Sequence, residues 1–423
     1  MRASFVVLVL SYHTKNSDMN KSTFFSGQPI FAQLLQLIPE SLIASLVSRY
    51  QADRYCKTFK TRDHLISMLY ACFHQCTSLR EISTGLAACG KKLEHLGMHN
   101  VPRRSTLADA NSRRATGFFK DLYHELYGRY FSALPDSRSV KNRKDRRFIM
   151  DSTTITLFSD VLRGAGSFTN SGRKKGGVKA HVLLDAKHNV PQVIKLSEGA
   201  ANDKIFMPDV FLKRGDILIF DKAYQKFRQW QKWTEAGVNW VTRIQDNQYY
   251  EVLQQKVIDT AKQKKGVCDD QKIIIGRGSS PNTTPITVRL VSYYVPHLKK
   301  IFHYLTNNFR FSAETVASLY EDRWQIETYF KSLKQNAPLR YFLGDNENAI
   351  HIQLWCSFIK DLLVKVIQQK VRKKWAFSNI SAMIRHHIMN YIDLIRFLNN
   401  PEKLIVEVGH RKNNSPQLKI FPT

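Results

Sequence analysis

The chain has 423 residues, of which 43% are apolar, and its 64 lysines and arginines against 35 acidic residues give a formal net charge of +29. A chain of this length and composition easily buries a core, which predicts two or three folded domains, and its excess of cations predicts a polyanionic partner, first of all nucleic acid. A membrane-spanning protein is excluded, because the longest apolar run falls far short of the roughly 20 residues that a spanning helix needs.

The N-terminus and the cysteines indicate the compartment. Residues 1–18 contain Arg2 and a short apolar run, without the longer apolar region and the cleavage site of a signal peptide. We expect Met19 to be the natural start and residues 1–18 to be a non-native or disordered extension. No CxxC pair occurs, and Cys72 and Cys76 recur with apolar residues at helical spacing, which predicts core thiols in a reducing, cytoplasmic protein.

Residues 19–135 are predicted to form an all-helical N-terminal domain, because apolar side chains recur there at helical spacing. The segment SLRE at 78–81 has the S-x-x-E form of a capping box. Ser105 or Thr106 is placed to cap a later helix, which begins beside Arg104, a predicted DNA contact. Short capped helices led by arginines are typical of a helix-turn-helix-like DNA-binding module, and a plain helical bundle is an equally good interpretation.

A linker and an α/β core are predicted next. Residues 136–147 are rich in cations and lack an apolar period, so we expect a linker that touches phosphate. Residues 148–245 change to strand-like runs with one helical run before the last of them, which predicts a core with a mixed sheet. The five predicted strands are Phe148–Phe158, Ala180–Asp185, Val190–Leu196, Asp216–Phe220 and Trp240–Ile244.

The remaining chain is predicted to interrupt and then complete this core. Residues 246–308 hold short β-like runs and the breaker-rich segment GRGSSPNTTP, which predicts a β-rich insertion. Residues 309–400 are expected to supply two helices, the first capped by Ser312 and the second covering Ala349–Lys370. Residues 401–423 form a C-terminal tail.

The stretch from Tyr320 to Lys334 has a polar stripe and an apolar stripe when it is drawn as one helix. The polar stripe sets one carboxylate among cations and contains Tyr320, Arg323, Glu327, Lys331 and Lys334. Taken alone, this pattern is also that of a solvated helix face supported by an i,i+4 ion pair. Two acids upstream favour the functional interpretation.

Three acids together predict a metal site. Asp151 lies within an apolar and β-branched strand, Asp221 directly follows the apolar residues of another strand, and Glu327 lies on the later helix. Buried carboxylates are costly unless they are paired or metal-bound, and hard oxygen ligands select Mg²⁺ or Mn²⁺. Two such ions roughly 4 Å apart support in-line phosphoryl displacement. Each acid by itself would also suit a cap or a turn.

These residues carry a resemblance to a known family. The spacing Tyr320-x2-Arg323-x3-Glu327-x6-Lys334 resembles the Tyr-Arg-Glu-Lys signature of bacterial DDE transposases of the insertion-sequence-four type. The segments MDSTTITL and IFDKAY resemble those that hold the family's first and second aspartates, and FFSGQPIFAQLLQLIP is similar to the N-terminal domain of one branch. The resemblance covers the chain from Met19 to about residue 400.

The resemblance implies a fold and an activity. The fold would be a ribonuclease-H-like mixed sheet flanked by helices, with a β-rich insertion and an all-helical N-terminal domain. The activity would be that of a DNA transposase, which binds terminal inverted repeats of double-stranded DNA as a homodimer. It would catalyse strand cleavage and strand transfer, by a cut-and-paste route with a hairpin intermediate, in the cytoplasm at the nucleoid.

The resemblance also implies roles for individual residues. Asp151, Asp221 and Glu327 would hold two Mg²⁺ ions, with Mn²⁺ as a substitute. The DNA backbone would be gripped by Tyr320, Arg323 and Lys334. Family members stack a flipped base on an aromatic side chain, and the candidates are Tyr293, Tyr294, Phe302 and Tyr304. Trp324 is a further candidate, although partial burial explains its place between the two stripes equally well.

Other basic residues and rival functions stay open. Four cations flank a Gly-Gly turn near the first aspartate and are predicted to reach DNA, although a solvated hairpin loop explains them as well: Arg173, Lys174, Lys175 and Lys179. Lys331, on the signature stretch, is a further predicted DNA contact. Asp203, in the segment AANDK, resembles a family position, but a helix cap explains it more simply. The rivals are a structure-selective nuclease with the same core and a non-catalytic DNA-binding regulator.

Overall fold

A nine-stranded mixed sheet organises the protein, in the order β3-β2-β1-β4-β5-β9-β8-β7-β6. The computed structural model describes residues 24–131, 146–156, 176–277, 285–337, 339 and 341–403. The strands are Arg147–Thr156 (β1), Gly177–Asp185 (β2), Val190–Glu198 (β3), Ile217–Phe220 (β4), Asn239–Arg243 (β5), Tyr250–Gln255 (β6), Val267–Ile275 (β7), Ile286–Val295 (β8) and Lys300–Thr306 (β9).

The pairing of the strands makes the sheet mixed, as the sequence predicts. β1, β2 and β3 are antiparallel neighbours, whereas β4 and β5 run parallel to β1. β9 pairs antiparallel with β5 and leads to β8, β7 and β6. The β-rich residues 246–308 therefore extend the same sheet from its β5 side, which the sequence did not indicate.

The alternation of side chains along β1 gives the sheet two apolar faces. Ile149 and Ile155 join one buried cluster, and Phe148 and Met150 join a second one. This is the period of two expected for a strand with both faces covered. The helix Phe227–Glu235 (α7) contributes to the second cluster, and the helices after the sheet contribute to the first.

Helices from both ends of the chain share one core. The N-terminal helices are Ile30–Leu35 (α1), Glu40–Arg49 (α2), Thr61–His74 (α3), Leu79–Ala88 (α4), Arg104–Arg113 (α5) and Thr116–Tyr130 (α6). After α7, the helices are Thr260–Lys264 (α8), Ala313–Glu321 (α9), Trp324–Asn336 (α10), Glu347–Lys370 (α11), Phe377–His387 (α12) and Leu394–Asn399 (α13). The buried helix α11 packs on α3, α5 and α6, so the predicted N-terminal domain and the predicted catalytic core share hydrophobic contacts. The domain boundaries drawn from the sequence remain predictions.

The predicted helix caps at Ser78 and Ser312 are present, and the predicted cap of α5 is not. Ser78 and Ser312 each accept a hydrogen bond from the backbone amide three residues ahead, as their positions predict. The prediction of a cap at Ser105 or Thr106 is wrong, because α5 begins earlier, at Arg104, with Arg103 as its N-cap residue. Both hydroxyls thus lie inside the first turn of the helix.

Two further predictions concern cysteines and membranes. All six cysteines are free, and Cys72 and Cys76 are buried in the shared helical core, as predicted. Across the residues that the structure describes, no helix combines the length and the hydropathy needed to cross a bilayer.

Candidate active site

Two adjacent parallel strands bring the first two predicted acids together. Met150 on β1 lies opposite Phe220 on β4, so Asp151 and Asp221 follow at the same level of the sheet. The carboxyl ends of parallel strands meet at one edge, which is why residues far apart in sequence become neighbours there. Asp221 also has the turn role foreseen as its alternative, since its Oδ1 accepts a hydrogen bond from the amide of Ala223 at 3.0 Å.

The stretch from Tyr320 to Lys334 is two helices rather than the single helix predicted. α9 ends at Glu321 and α10 begins at Trp324. The residues between them form hydrogen bonds over three residues, as in a 3₁₀ helix, such as the one from the Arg323 amide to the Tyr320 carbonyl at 3.1 Å. The Asp322 carboxylate at this join pairs with Arg147 at the start of β1. This tertiary ion pair accompanies a break that helical periodicity alone does not reveal.

The three predicted acids converge through two residues of the signature. Arg323 lies 3.3 Å from Asp151 through Nη1 and 2.5 Å from Glu327 through Nη2. The Tyr320 hydroxyl donates to Asp221 Oδ2 at 3.4 Å, a long hydrogen bond. A strand centre, a strand end and a helix therefore present their carboxylates to one small region.

The electrostatics of Asp151 reflect this crowding. Burial, together with the neighbouring carboxylates of Asp221 and Glu327, raises the pKa of Asp151 to about 6. The amide of Ser152 and the guanidinium of Arg323 act in the opposite direction. Carboxylates placed this close favour protonation unless a cation lies between them.

A cleft opens beside these acids. It has a volume of about 680 Å³ and is lined by Asp151, Glu327, Lys331 and Lys334, among others. The Lys334 ammonium donates to the carbonyl of Thr154 at 3.0 Å, and burial lowers the pKa of this lysine. Two lysines beside two carboxylates form a place where a phosphate can approach acidic groups without net repulsion.

The donor set suits hard divalent cations in kind. Three carboxylates supply the oxygen ligands that Mg²⁺ and Mn²⁺ prefer. As the side chains stand, however, no group of three or more His, Cys, Asp and Glu residues in the described ranges is arranged to hold a metal ion. Arg323 occupies the space between Asp151 and Glu327, so the three acids would surround a metal only after this guanidinium moves.

The other predicted DNA contacts lie apart from this cleft or outside the described residues. Arg104 is exposed at the start of α5, where a phosphate could reach it. Arg173 and Lys175 belong to the range 157–175, which the structure does not describe. Their predicted roles stay predictions.

The aromatic candidates of the insertion differ in their accessibility. Tyr304 is buried with its ring 5.1 Å from that of Tyr320, which leaves no face for a base. Phe302 and Tyr293 are cross-strand partners and therefore share the face that holds Tyr304, whereas Tyr294 alternates to the opposite face. Trp324, at the start of α10, is 62% exposed.

One cation of the site was missed in the sequence. Arg243, at the end of β5, lies over the rings of Phe302 and Tyr320 at 5.3 and 6.0 Å. Ile219 of β4 pairs with Val241 of β5, so Arg243 lies level with Asp221. The rule that brings the two aspartates together would have identified Arg243, since it lies next to the last residue of the predicted strand Trp240–Ile244.

Comparison with known proteins decides the family. The sequence profile of the Transposase DDE domain matches residues 142–359, which is more than half of the chain and includes every acid of the site. The chain belongs to the DDE transposase family. A second profile, Domain of unknown function (DUF4372), matches residues 26–99 of this transposase, within the N-terminal helices.

Curated relatives of the transposase carry the same description. A transposase (y4zB) of Sinorhizobium fredii is 29% identical over 63% of this chain and 71% of its own length. A transposase for insertion sequence element IS5377 of Geobacillus stearothermophilus is 26% identical over 86% of this chain and 89% of its own length. Among solved structures, a piggyBac transposase synaptic complex with hairpin DNA superposes at a TM-score of 0.41 with 10% identity, over 92% of this chain and 85% of that one.

Proposed function

We propose that this transposase binds the terminal inverted repeats of its insertion sequence and catalyses metal-dependent strand cleavage and strand transfer. The observation that carries the proposal is the convergence of Asp151, Asp221 and Glu327 on Arg323 and Tyr320, at the edge of a cationic cleft. The strand order β3-β2-β1-β4-β5 supports a ribonuclease-H-like core. The Tyr-Arg-Glu-Lys spacing supports a member of the insertion-sequence-four type with a hairpin intermediate.

Three carboxylates would hold the divalent ions of the reaction. Asp151, Asp221 and Glu327 would be the ligands, and two Mg²⁺ ions, or Mn²⁺ in their place, would supply charge stabilisation for a phosphoryl transfer. The Tyr320 hydroxyl holds the Asp221 carboxylate by a hydrogen bond. Arg323 keeps Asp151 and Glu327 together until DNA enters the cleft.

Arg323 has to change partners for the site to work. A guanidinium binds a phosphate as readily as a carboxylate, through charge-assisted hydrogen bonds. When a DNA phosphate binds Arg323, Asp151 and Glu327 lose the guanidinium that pairs with them. Both carboxylates then become free to bind divalent ions. DNA binding and metal binding would therefore favour each other.

The cations around the cleft would position the DNA end. Lys331 and Lys334 line the cleft beside the acids, and Arg243 lies over the ring of Tyr320 at 6.0 Å. A net charge of +29 adds a general attraction to double-stranded DNA. Because an element has two ends, a homodimer would hold one end in each copy, in the cytoplasm at the nucleoid.

The test is end cleavage in vitro. Inverted repeats that bracket the reading frame define the substrate, and duplexes that carry them are incubated with the protein and Mg²⁺. Wild-type protein should cut at the repeat boundary, and Asp221→Asn should not, whereas Asp246→Asn, which removes an exposed acid paired with Lys222, should cut normally. Equal cutting by wild type and Asp221→Asn would overturn the proposal.

The same assay separates the rival nuclease. A structure-selective enzyme would cut branched or nicked DNA of any sequence and would show no preference for the repeats. Strand transfer of a cut end into a target plasmid is the product that only a transposase yields. Binding to the repeats without cleavage under any metal would instead indicate a regulator.

A further inference from the structure

A second polar cluster lies behind Asp151, on the opposite face of β1. Successive side chains of a strand alternate between faces, so the Ser152 side chain lies on the opposite face of β1 from that of Asp151. Its hydroxyl donates a 2.6 Å hydrogen bond to Asp203 Oδ1.

Asp203 is the first residue of the 3₁₀ helix Asp203–Asp209. The N-cap residue of this helix is Asn202, so the cap role predicted for Asp203 is wrong.

Asp203 is held in place by residues of β2. The Lys179 ammonium lies 3.1 Å from Asp203 Oδ1 and donates to the Ala201 carbonyl at 2.6 Å. His181 lies 3.8 Å from the same carboxylate. Burial lowers the pKa of His181 to about 4, so the ring is neutral at pH 7. Lys179 is therefore the counter-charge of Asp203.

The cluster connects back to Asp151 through the backbone of β1. The amide of Ser152 donates to Asp151 Oδ1 at 2.8 Å, so the residue that Asp203 anchors also orients the first carboxylate of the site. The buried hydroxyl of Tyr224 lies close to both acids. Burial raises the pKa of Tyr224 well above its usual value, and the charges of Asp151 and Asp203 raise it further.

We propose that Asp203 is a positioning residue of the transposase, which fixes the Asp151 carboxylate through the side chain and amide of Ser152. This inference rests on the proposed function, because it assigns Asp151 as a metal ligand. A hydrogen bond of 2.6 Å from a hydroxyl to a carboxylate is of the strong, charge-assisted kind. Without it, the stretch of β1 that carries the Ser152 amide loses its tether to the helix Asp203–Asp209, and the hydrogen bond from that amide to Asp151 Oδ1 is held less firmly. Partners that orient a ligand in this way are worth about 10- to 100-fold in metal affinity or activity.

The experiment compares two acids of the same short helix. Asp203→Ala removes the anchor, whereas Asp209→Ala removes an acid that pairs with the half-exposed Lys195 at 2.7 Å, away from Ser152. Full-length protein is titrated with Mn²⁺ and the free ion is followed by electron paramagnetic resonance. Binding of the repeat duplex, the Mg²⁺ concentration for half-maximal cleavage and thermal unfolding are measured in parallel.

We expect Asp203→Ala to weaken Mn²⁺ binding and to raise the half-maximal Mg²⁺ concentration by about tenfold, with DNA binding changed less than about twofold. Ser152→Ala should do the same, and the double variant should be no worse than either single change, because both remove one linkage. Ser152→Ala is a small change on a paired strand and serves if Asp203→Ala does not fold.

Two results would overturn the positioning role. The first is an unaltered metal dependence in Asp203→Ala or Ser152→Ala with a lowered melting temperature, which is what a merely structural role predicts. The second is additive losses in the double variant. Failure of the proposed function looks different, because Asp151→Asn would then cleave repeat duplexes as well as wild type does.

Discussion

Two arginines of this transposase hold carboxylates in opposite ways. Arg289 on β8 makes two 2.8 Å hydrogen bonds to both oxygens of Asp270, and its remaining donors reach the carbonyls of Asn308 and Phe311. Arg323 divides itself between Asp151 and Glu327. Its Nε is buried and has no hydrogen-bond partner among the described residues.

The two aspartates show what this difference means. Burial favours the protonated form of both acids, but the paired bonds from Arg289 hold the pKa of Asp270 below its usual value. Arg323 is shared, so burial and the neighbouring acids prevail and the pKa of Asp151 stands at about 6. A fully satisfied pair cross-links the fold, whereas a shared and incompletely satisfied arginine can exchange its partners.

The largest effect is expected when a carboxylate bound by Arg323 is changed. Glu327→Gln should lower the rate of end cleavage by at least about 10³-fold, because a carboxamide cannot replace an anionic ligand in charge stabilisation. Binding of the repeat duplex and the melting temperature should change little. The control is Glu321→Gln, an exposed acid at the end of α9, which should cleave normally. Cleavage by Glu327→Gln at more than a tenth of the wild-type rate would contradict this role.

Breaking the structural pair should instead unfold the protein. Asp270→Ala leaves the Arg289 guanidinium buried without its carboxylate, and such a change costs about 3–5 kcal/mol of unfolding free energy. Urea unfolding followed by circular dichroism measures this loss. Asp269→Ala, beside it, removes an acid bonded to Gln255 at the surface and should cost less than about 1 kcal/mol. A similar loss in both variants would show that the pair has no special weight.

The raised pKa of Asp151 predicts a pH dependence of stability. Between the usual value of 3.8 and about 6 the folded protein binds more protons at Asp151 than the unfolded chain, so the unfolding free energy contributed by this group falls as pH rises through that window. Asp151→Asn removes the free-energy cost of ionising this buried carboxylate. In EDTA it should exceed wild type by up to about 3 kcal/mol above pH 6, and the difference should shrink toward pH 4. A difference that is constant with pH would exclude this explanation.

The smallest effect is expected in a test of whether Arg323 competes with metal ions for its two carboxylates. Without DNA, Arg323→Ala should bind Mn²⁺ more tightly, by roughly 5- to 10-fold, because no guanidinium competes for Asp151 and Glu327. Lys331→Ala removes a cation from the same cleft without touching either acid and is the matched control. An equal gain in Mn²⁺ affinity in the two variants would mean that loss of any positive charge from the cleft explains the effect. In wild type, the repeat duplex should raise Mn²⁺ affinity, and in Arg323→Ala it should raise it less.

Short-range features of this protein could be predicted from the sequence. The caps at Ser78 and Ser312 were predictable because a hydroxyl and an amide three residues apart interact within one turn. The strand ending at Asp221 and the helix Ala349–Lys370 were recognised by apolar runs and period, and both are present within one or two residues. The acids stood out because a carboxylate inside or just after an apolar strand needs a partner.

Other features depend on contacts between distant segments. The break at Asp322 goes with its ion pair to Arg147, 175 residues away in the chain. The place of the insertion in the sheet is set by β9 pairing with β5. The helices α12 and α13 were missed, and they are short elements packed against the rest of the helical core.

By itself, the sequence determined that the sheet is mixed, the approximate positions of its first five strands and the places of three acids in or near them, because each follows from interactions within a few residues. Only the tertiary structure decided that Arg323 lies between two of those acids, that Tyr320 bonds to the third and that Asp203 anchors the strand beneath them. Such pairings depend on which faces of distant strands and helices are packed together, and a side chain's period or neighbours in sequence carry no record of that.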